Sequence, residues 1–264
     1  METVEISLYS LVLALSLLVI PVVLSWIYDL KLAGPLLMST ARMSVQLALI
    51  GVFLKFLFKW NQPVLNVLWL TVMILTAVVS AVRDSSMRVW TILIPVFTSF
   101  SLATFLIVLF INIFVIRLDR VFDARYLVVL GGMLLGNSLR GNIIGITAFY
   151  QNIKKDSKIF LSTLSLGASF REAVLPYLQE SVRLALKPTI AAMATMGIVA
   201  LPGMMTGVIL GGTSPDVAIK YQIMIMIAIV VSTVSSVFLT IVMTMKSCFT
   251  PYGILKTDLF TASV

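Results

Sequence analysis

Three strongly polar side chains, Asn137, Arg140 and Asn142, interrupt an apolar stretch that reads Gly-Gly-Met-Leu-Leu-Gly-Asn-Ser-Leu-Arg-Gly-Asn-Ile-Ile-Gly from Gly131 to Gly145. An arginine near mid-bilayer costs at least about 2.5–3.5 kcal/mol, so it has to face protein or water. No carboxylate lies in any apolar stretch to pair with it, which leaves amides, backbone carbonyls, water or an anionic solute. Two readings are open for this cluster: a hydrogen-bond network that holds helices together, or the lining of a translocation path. Arg42 and Gln46 stand one helical turn apart on a shared face and carry the same pathway reading. Arg42 can equally snorkel to the headgroups. Met204 and Met205 add soft thioethers, which also serve as ordinary core filler.

Other chemistry is excluded by composition. The chain has no histidine and one cysteine, Cys248, so it can form neither an internal disulfide nor a histidine- or cysteine-based metal site of its own. All eleven acidic residues fall in loops or at the edges of apolar stretches, and the residues name no metal-ligand set. There is no G-x-x-x-x-G-K-[ST] phosphate loop and no serine in a nucleophile-elbow pattern. The chain reads as a non-enzyme without a cofactor of its own.

The elements that must position these residues are membrane helices. Hydrophobic residues make up 60% of the 264-residue chain and charged ones only 11%, far from the roughly 25% charged of soluble domains. The apolar runs are continuous over about 20 residues, which selects helices over a barrel. The expected fold is all-α, a single polytopic domain over 1–264 with seven spans near 6–28, 37–58, 64–82, 91–116, 127–149, 188–212 and 217–245. Spans three and four, rich in Val, Ile, Leu and Phe, are expected to face lipid. With the N-terminus outside and the C-terminus inside, the inner segments hold twelve Lys/Arg and the outer ones six, the asymmetry that marks cytoplasmic loops. The net charge of +8 is explained by those loops and not by a nucleic-acid partner. The N-terminal Met-Glu-Thr-Val-Glu lacks a basic n-region, so no ordinary secretory signal peptide is expected.

Small residues mark close packing. Gly132 with Gly136, Gly141 with Gly145, and the run Gly203, Gly207, Gly211 are each spaced by four, the pattern that lets helices approach. The cytoplasmic segment at about 150–187 is amphipathic instead. Gly167 suits the left-handed residue that ends a helix. Ser169 and Glu172 then form a capping box that starts the next. The predicted result is helix, tight bend, short helix, connecting the membrane body to something in the cytoplasm.

The segment Leu164-Ser-Leu-Gly-Ala-Ser-Phe-Arg-Glu-Ala-Val174 resembles the coupling loop of ABC transporter permeases. The match widens to Arg42-x-x-x-Gln46-Leu47, Gly132-Met133-x-x-Gly136-Asn137, Leu201-Pro-Gly-Met-Met-Thr-Gly207 and Ala218-Ile-Lys-Tyr-Gln-Ile223. From about Leu30 to about Val242 the chain is similar to the FetB family of iron-export ABC permeases, which has plant relatives linked to aluminium tolerance and one associated with nucleotide-sugar transport. The resemblance implies a multi-pass permease in the cell (inner) membrane, a homodimer driven by a separate cytoplasmic P-loop ATPase that holds ATP and Mg. Leu166, Gly167, Ala168, Ser169 and Glu172 would couple to that ATPase. It implies export of iron or another metal-linked solute. The residues fit a hard cation poorly, because Arg140 repels it and no carboxylate lies within a span. A chelate or an organic anion such as a nucleotide sugar is the alternative cargo. A non-transporting scaffold or regulator, and an ATP-independent channel, are the readings from other classes.

Overall fold

A computed structural model describes residues 7–85 and 87–256. The predicted start of span one at residue 6 and the tail beyond Lys256 lie outside the described residues. Ten helices follow one another, and among the described residues no strand is formed: α1 (Leu8–Ser16), α2 (Val19–Ile27), α3 (Ala33–Trp60), α4 (Pro63–Asp84), α5 (Val89–Phe110, continued by a π-turn at Ile111–Val115), α6 (Ala124–Lys155), α7 (Ser157–Ser165), α8 (Phe170–Thr195), α9 (Gly203–Leu210) and α10 (Pro215–Cys248). Six stretches are long and apolar enough to cross a membrane: α1 with α2, then α3, α4, α5, α6 and α10. The chain is a membrane protein built of helices.

The segment that differs from expectation is 188–212, which is not one helix. The short helix expected after the bend is instead α8, 26 residues long, which runs through Pro188 and ends at Thr195. Met196–Pro202 is irregular, with Gly197 at φ +87° and its N–H donating to the Ala200 carbonyl at 3.0 Å. Pro202 has no N–H to donate and holds Leu201 extended, so the helix cannot resume before Gly203. Averaged hydropathy is blind to such a break, because every residue in it is apolar or small. The break lines a cavity, at Met196 and Pro202, the setting in which irregular backbone is tolerated in membrane proteins.

Spans three and four also differ from expectation. Lipid does not surround them: Leu70, Ile74, Val78 and Val82 of α4 and Phe100, Thr104 and Val108 of α5 are buried in the main core. Their other faces are the exposed ones.

α6 and α10 form the centre of the bundle. Their buried hydroxyls and amides pair across the interface as rungs: Ser138 with Ser232 (3.1 Å), Asn142 Nδ2 donating to Ser236 Oγ (2.7 Å), and the Tyr150 hydroxyl donating to Thr244 Oγ1 (2.6 Å). Each rung joins residues 94 apart in the chain, so the two helices run parallel. Gly141 and Gly145 make the approach possible. A Cβ at Gly141 would overlap the Thr233 methyl, and one at Gly145 would lie 2.6 Å from Val237.

Parallel neighbours require the chain to return between them. α8, with 26 residues, is about 39 Å long and makes that return, packing Ala185 beside Gly145 and Ala192 near Arg140. At the opposite end of the bundle, Asn61 caps α3 in the left-handed region (φ 41°). Its side chain accepts from the Ala124 N–H and donates to Asp123, tying α3 to the start of α6. Elsewhere α3 is barely covered by the rest of the chain, with Leu57 its one buried residue.

Candidate translocation cavity and coupling segment

A cavity of about 450 Å³ opens between α6, α8, α9 and α10, bounded by the break at Met196–Pro202. Of the pathway candidates in the sequence, Asn137, Arg140 and Met204 line it, as do Gly141 and Gly203 from the packing glycines. Arg140 is exposed toward it, and among the described residues no carboxylate pairs with it. Asn137 Nδ2 donates to the Met133 carbonyl at 2.9 Å. Asn142, by contrast, points into the α6–α10 ladder, where it also donates to the Ser138 carbonyl. It belongs to the structural network, and the two readings offered for this cluster therefore divide between its members.

Met205, Arg42 and Gln46 do not line the cavity. Arg42 and Gln46 lie exposed on α3, away from the core. Residues that the sequence did not flag complete the wall. Gln222 is nearly buried, its Nε2 donating to the Met196 sulfur (3.8 Å), while its Oε1 has no partner among the described residues. Met133, Met196 and Met226 join Met204, giving four thioethers around one arginine and two amides. Such a wall offers one positive charge, amide donors and acceptors, and polarisable sulfur. Among the described residues no three His, Cys, Asp or Glu side chains group together.

The glycine pairs fare unequally. Gly141 and Gly145 are close-packed, and Gly132 lies 3.0 Å by its missing Cβ from the Met73 methyl. A Cβ at Gly136, Gly203 or Gly207 would meet nothing within 4 Å, and Gly211 is the cap of α9. The run Gly203, Gly207, Gly211 is therefore not a packed face within this chain. Eight residues of α9 are too few to carry the repeat, and its contact with the core is made through Met204 and not through these glycines.

At the far end of α8 from the cavity, the bend takes the form that its residues dictate. α7 ends at Ser165, Gly167 adopts φ +96°, and Ser169 caps α8 with the Glu172 N–H. The Glu172 carboxylate accepts in return from the Ser169 N–H (2.7 Å) and hydroxyl (2.7 Å). Leu166 at the tip is 88% exposed, an apolar side chain presented outward. The bend is anchored from behind by Phe249, whose ring lies 5.1 Å from Phe170 and 6.1 Å from Phe160.

The two hydrogen bonds from Ser169 hold the Glu172 carboxyl below its ordinary value. A group lowered on folding stabilises the cap at neutral pH, and that contribution is lost as pH falls through the lowered value. Protection of the Ser169 and Glu172 amides, the factor by which they exchange more slowly than a free amide at the same pH, is expected to hold at pH 5 and to fall in acid below 4.5, the ordinary value. Glu172→Gln, which keeps an acceptor but cannot titrate, is expected to flatten that dependence. The same acid response in the variant would show that the cap does not depend on this carboxylate.

The model of an uncharacterised protein family, UPF0014, matches residues 8–249. This chain belongs to the UPF0014 family. Among UPF0014 relatives, it is 32% identical over 257 residues to the protein ALUMINUM SENSITIVE 3 of Arabidopsis thaliana, covering 94% of this chain and 90% of that one. It is 30% identical over 225 residues to the probable iron export permease protein FetB of Escherichia coli, covering 85% of each. The membrane protein STAR2 of Oryza sativa is 30% identical over 232 residues, 87% of this chain and 79% of its own. No solved structure matches the chain significantly.

Proposed function

We propose that this chain is the membrane-spanning subunit of an ABC transporter, driven by a separate cytoplasmic P-loop ATPase that docks on Leu166–Glu172. The observation that carries the reading is the continuity of α8. One helix starts at the exposed, capped bend and ends as a wall of the cavity that holds Arg140. A push on its first turn therefore travels to the cavity along one helix, past Pro176 and Pro188, where the helix lacks a backbone donor and can bend. The chain has no phosphate loop, so hydrolysis falls to a partner. Seven crossings follow if α8 with α9 counts as the sixth, and the basic loops favour the N-terminus outside in the cell (inner) membrane. A homodimer with two ATPases completes the assembly. The naming of one relative as a probable iron export permease supports export of iron or a metal-linked solute.

The cavity favours one refinement. Arg140 without a carboxylate partner suits a cargo of net negative charge better than a bare hard cation, which prefers oxygen ligands, several of them carboxylates. A metal would pass as an anionic chelate, or the cargo is an organic anion. The tagged protein, purified from its native membrane, is expected to bring a stoichiometric P-loop ATPase whose turnover in liposomes rises with the cargo. A clean preparation with no ATPase would reject the transporter reading. Arg140→Leu is expected to lower transport by about tenfold, the equivalent of roughly 1.4 kcal/mol, with ATPase binding unchanged. Unchanged transport kinetics would return Arg140 to a structural role.

A further inference from the structure

A second, larger hollow of about 1280 Å³ lies outside the bundle, between the first turns of α8, the last turns of α10 and the chain that follows α10. Its two ends differ in kind. One end is formed by Phe238 and Val242 of α10, a helix long and apolar enough to cross a membrane, with Leu175 and Leu178 of α8. Phe238 and Leu175 are 46% and 49% exposed there, so the chain leaves this apolar floor open.

The other end is basic. Arg171, Lys246 and Lys256 reach it from three separate elements, and the carboxylate among them, that of Glu172, is occupied by Ser169. Arg171 and Lys246 are exposed, and among the described residues neither has an ion-pair partner. Lys256 is held in place by its Nζ donating to the Ser247 carbonyl at 2.9 Å. Because α8 runs antiparallel to α10, the floor from Phe238 to Phe249 spans eleven residues of helix, about 16 Å from the apolar end to the basic one. That is the polarity of a phospholipid lying along a protein, with its chain at span depth and its headgroup at the interface.

We propose that this groove binds one anionic phospholipid, its phosphate among Arg171, Lys246 and Lys256 and an acyl chain along Phe238, Val242 and Leu178. Charge decides the class, since basic pockets at the ends of membrane helices select anionic headgroups while zwitterionic ones gain little. The lipid bridges the end of α10 to the bend that precedes α8. It thereby ties the membrane's charge to the segment proposed to meet the ATPase. The binding itself rests on the groove alone and does not depend on that coupling role.

The test is native mass spectrometry of the full-length protein released from micelles containing equal amounts of phosphatidylglycerol and phosphatidylcholine. The wild type is expected to retain phosphatidylglycerol at least fivefold over phosphatidylcholine. Arg171→Gln with Lys246→Gln and Lys256→Gln is expected to bring the ratio close to one. Val242→Trp, which fills the floor and leaves every charge in place, is expected to reduce retention of both lipids. Glycerol phosphate in excess is expected not to displace the bound lipid. Equal retention of the two lipids by the wild type overturns the proposal. So does an unchanged preference in the triple variant. Loss of ATPase binding in that variant, without any lipid preference in the wild type, would assign the groove to a protein partner instead.

Discussion

Gly167→Pro is expected to cripple the proposed ATP-driven transport while leaving the protein inserted and folded. Gly167 sits at φ +96°, and proline is fixed near −65°, so the bend cannot be kept. The substitution also removes the N–H that donates to the Leu164 carbonyl at 3.1 Å. α7 and α8 lie on either side of this residue, and apart from that one bond to the last turn of α7 neither helix uses it. The damage is therefore confined to the angle between them and to where Leu166 points. Transport in liposomes with the ATPase is expected to fall by more than about tenfold, roughly 1.4 kcal/mol of lost coupling. Thermal unfolding in detergent is expected to shift little. Glu172→Arg should act in the same direction more mildly, by removing the carboxylate from the cap. If Gly167→Pro binds the ATPase and transports normally, the bend is not the coupling element.

Gly145→Val is expected to be the most damaging substitution for stability. The added Cβ would lie 2.6 Å from Val237 on α10 and 3.6 Å from Ala185 on α8, so one side chain forces three helices apart. Overpacking of this kind costs about 1–3 kcal/mol. The same wedge strains the nearby Asn142–Ser236 rung on α6 and α10. Gly136→Ala provides the contrast, because its Cβ would meet nothing within 4 Å. There the gain in helix propensity, up to about 1 kcal/mol, goes unopposed. Melting temperatures of the two variants are expected to move in opposite directions. Equal shifts would mean that the approach of α6 to α10 does not set the stability of the bundle.

These two glycines also show how far the residues alone can be read. Both belong to small-xxx-small pairs, and spacing cannot say which member finds a partner. That depends on which face of α6 receives α10, a long-range fact. The cap at Ser169 and Glu172 was legible because all its hydrogen bonds close within four residues. Arg140, Asn137 and Asn142 were legible as unusual, yet their division between cavity and ladder was not. A signal for the ladder did exist: Ser232, Ser236, Thr240 and Thr244 recur every four residues along a mostly apolar helix, with Thr233 and Ser235 beside them. Read beside Ser138 and Asn142, that stripe would have paired α6 with α10 in advance. Gln222 and Met196 reach the cavity only because Pro202 and Gly197 break the chain between α8 and α9, and hydropathy does not register such a break.

The rungs between α6 and α10 have a mechanical meaning. Two parallel helices joined at Ser138, Asn142 and Tyr150 can slide past each other only by breaking every rung at once. The next position that restores the pairing lies four residues on, about 6 Å away. Small axial slips are thereby forbidden, and the pair behaves as a fixed rail. Whatever motion the proposed transport cycle demands is left to α8, which meets that rail at Gly145 through the small Ala185 side chain and the Ser181 carbonyl and can roll against it.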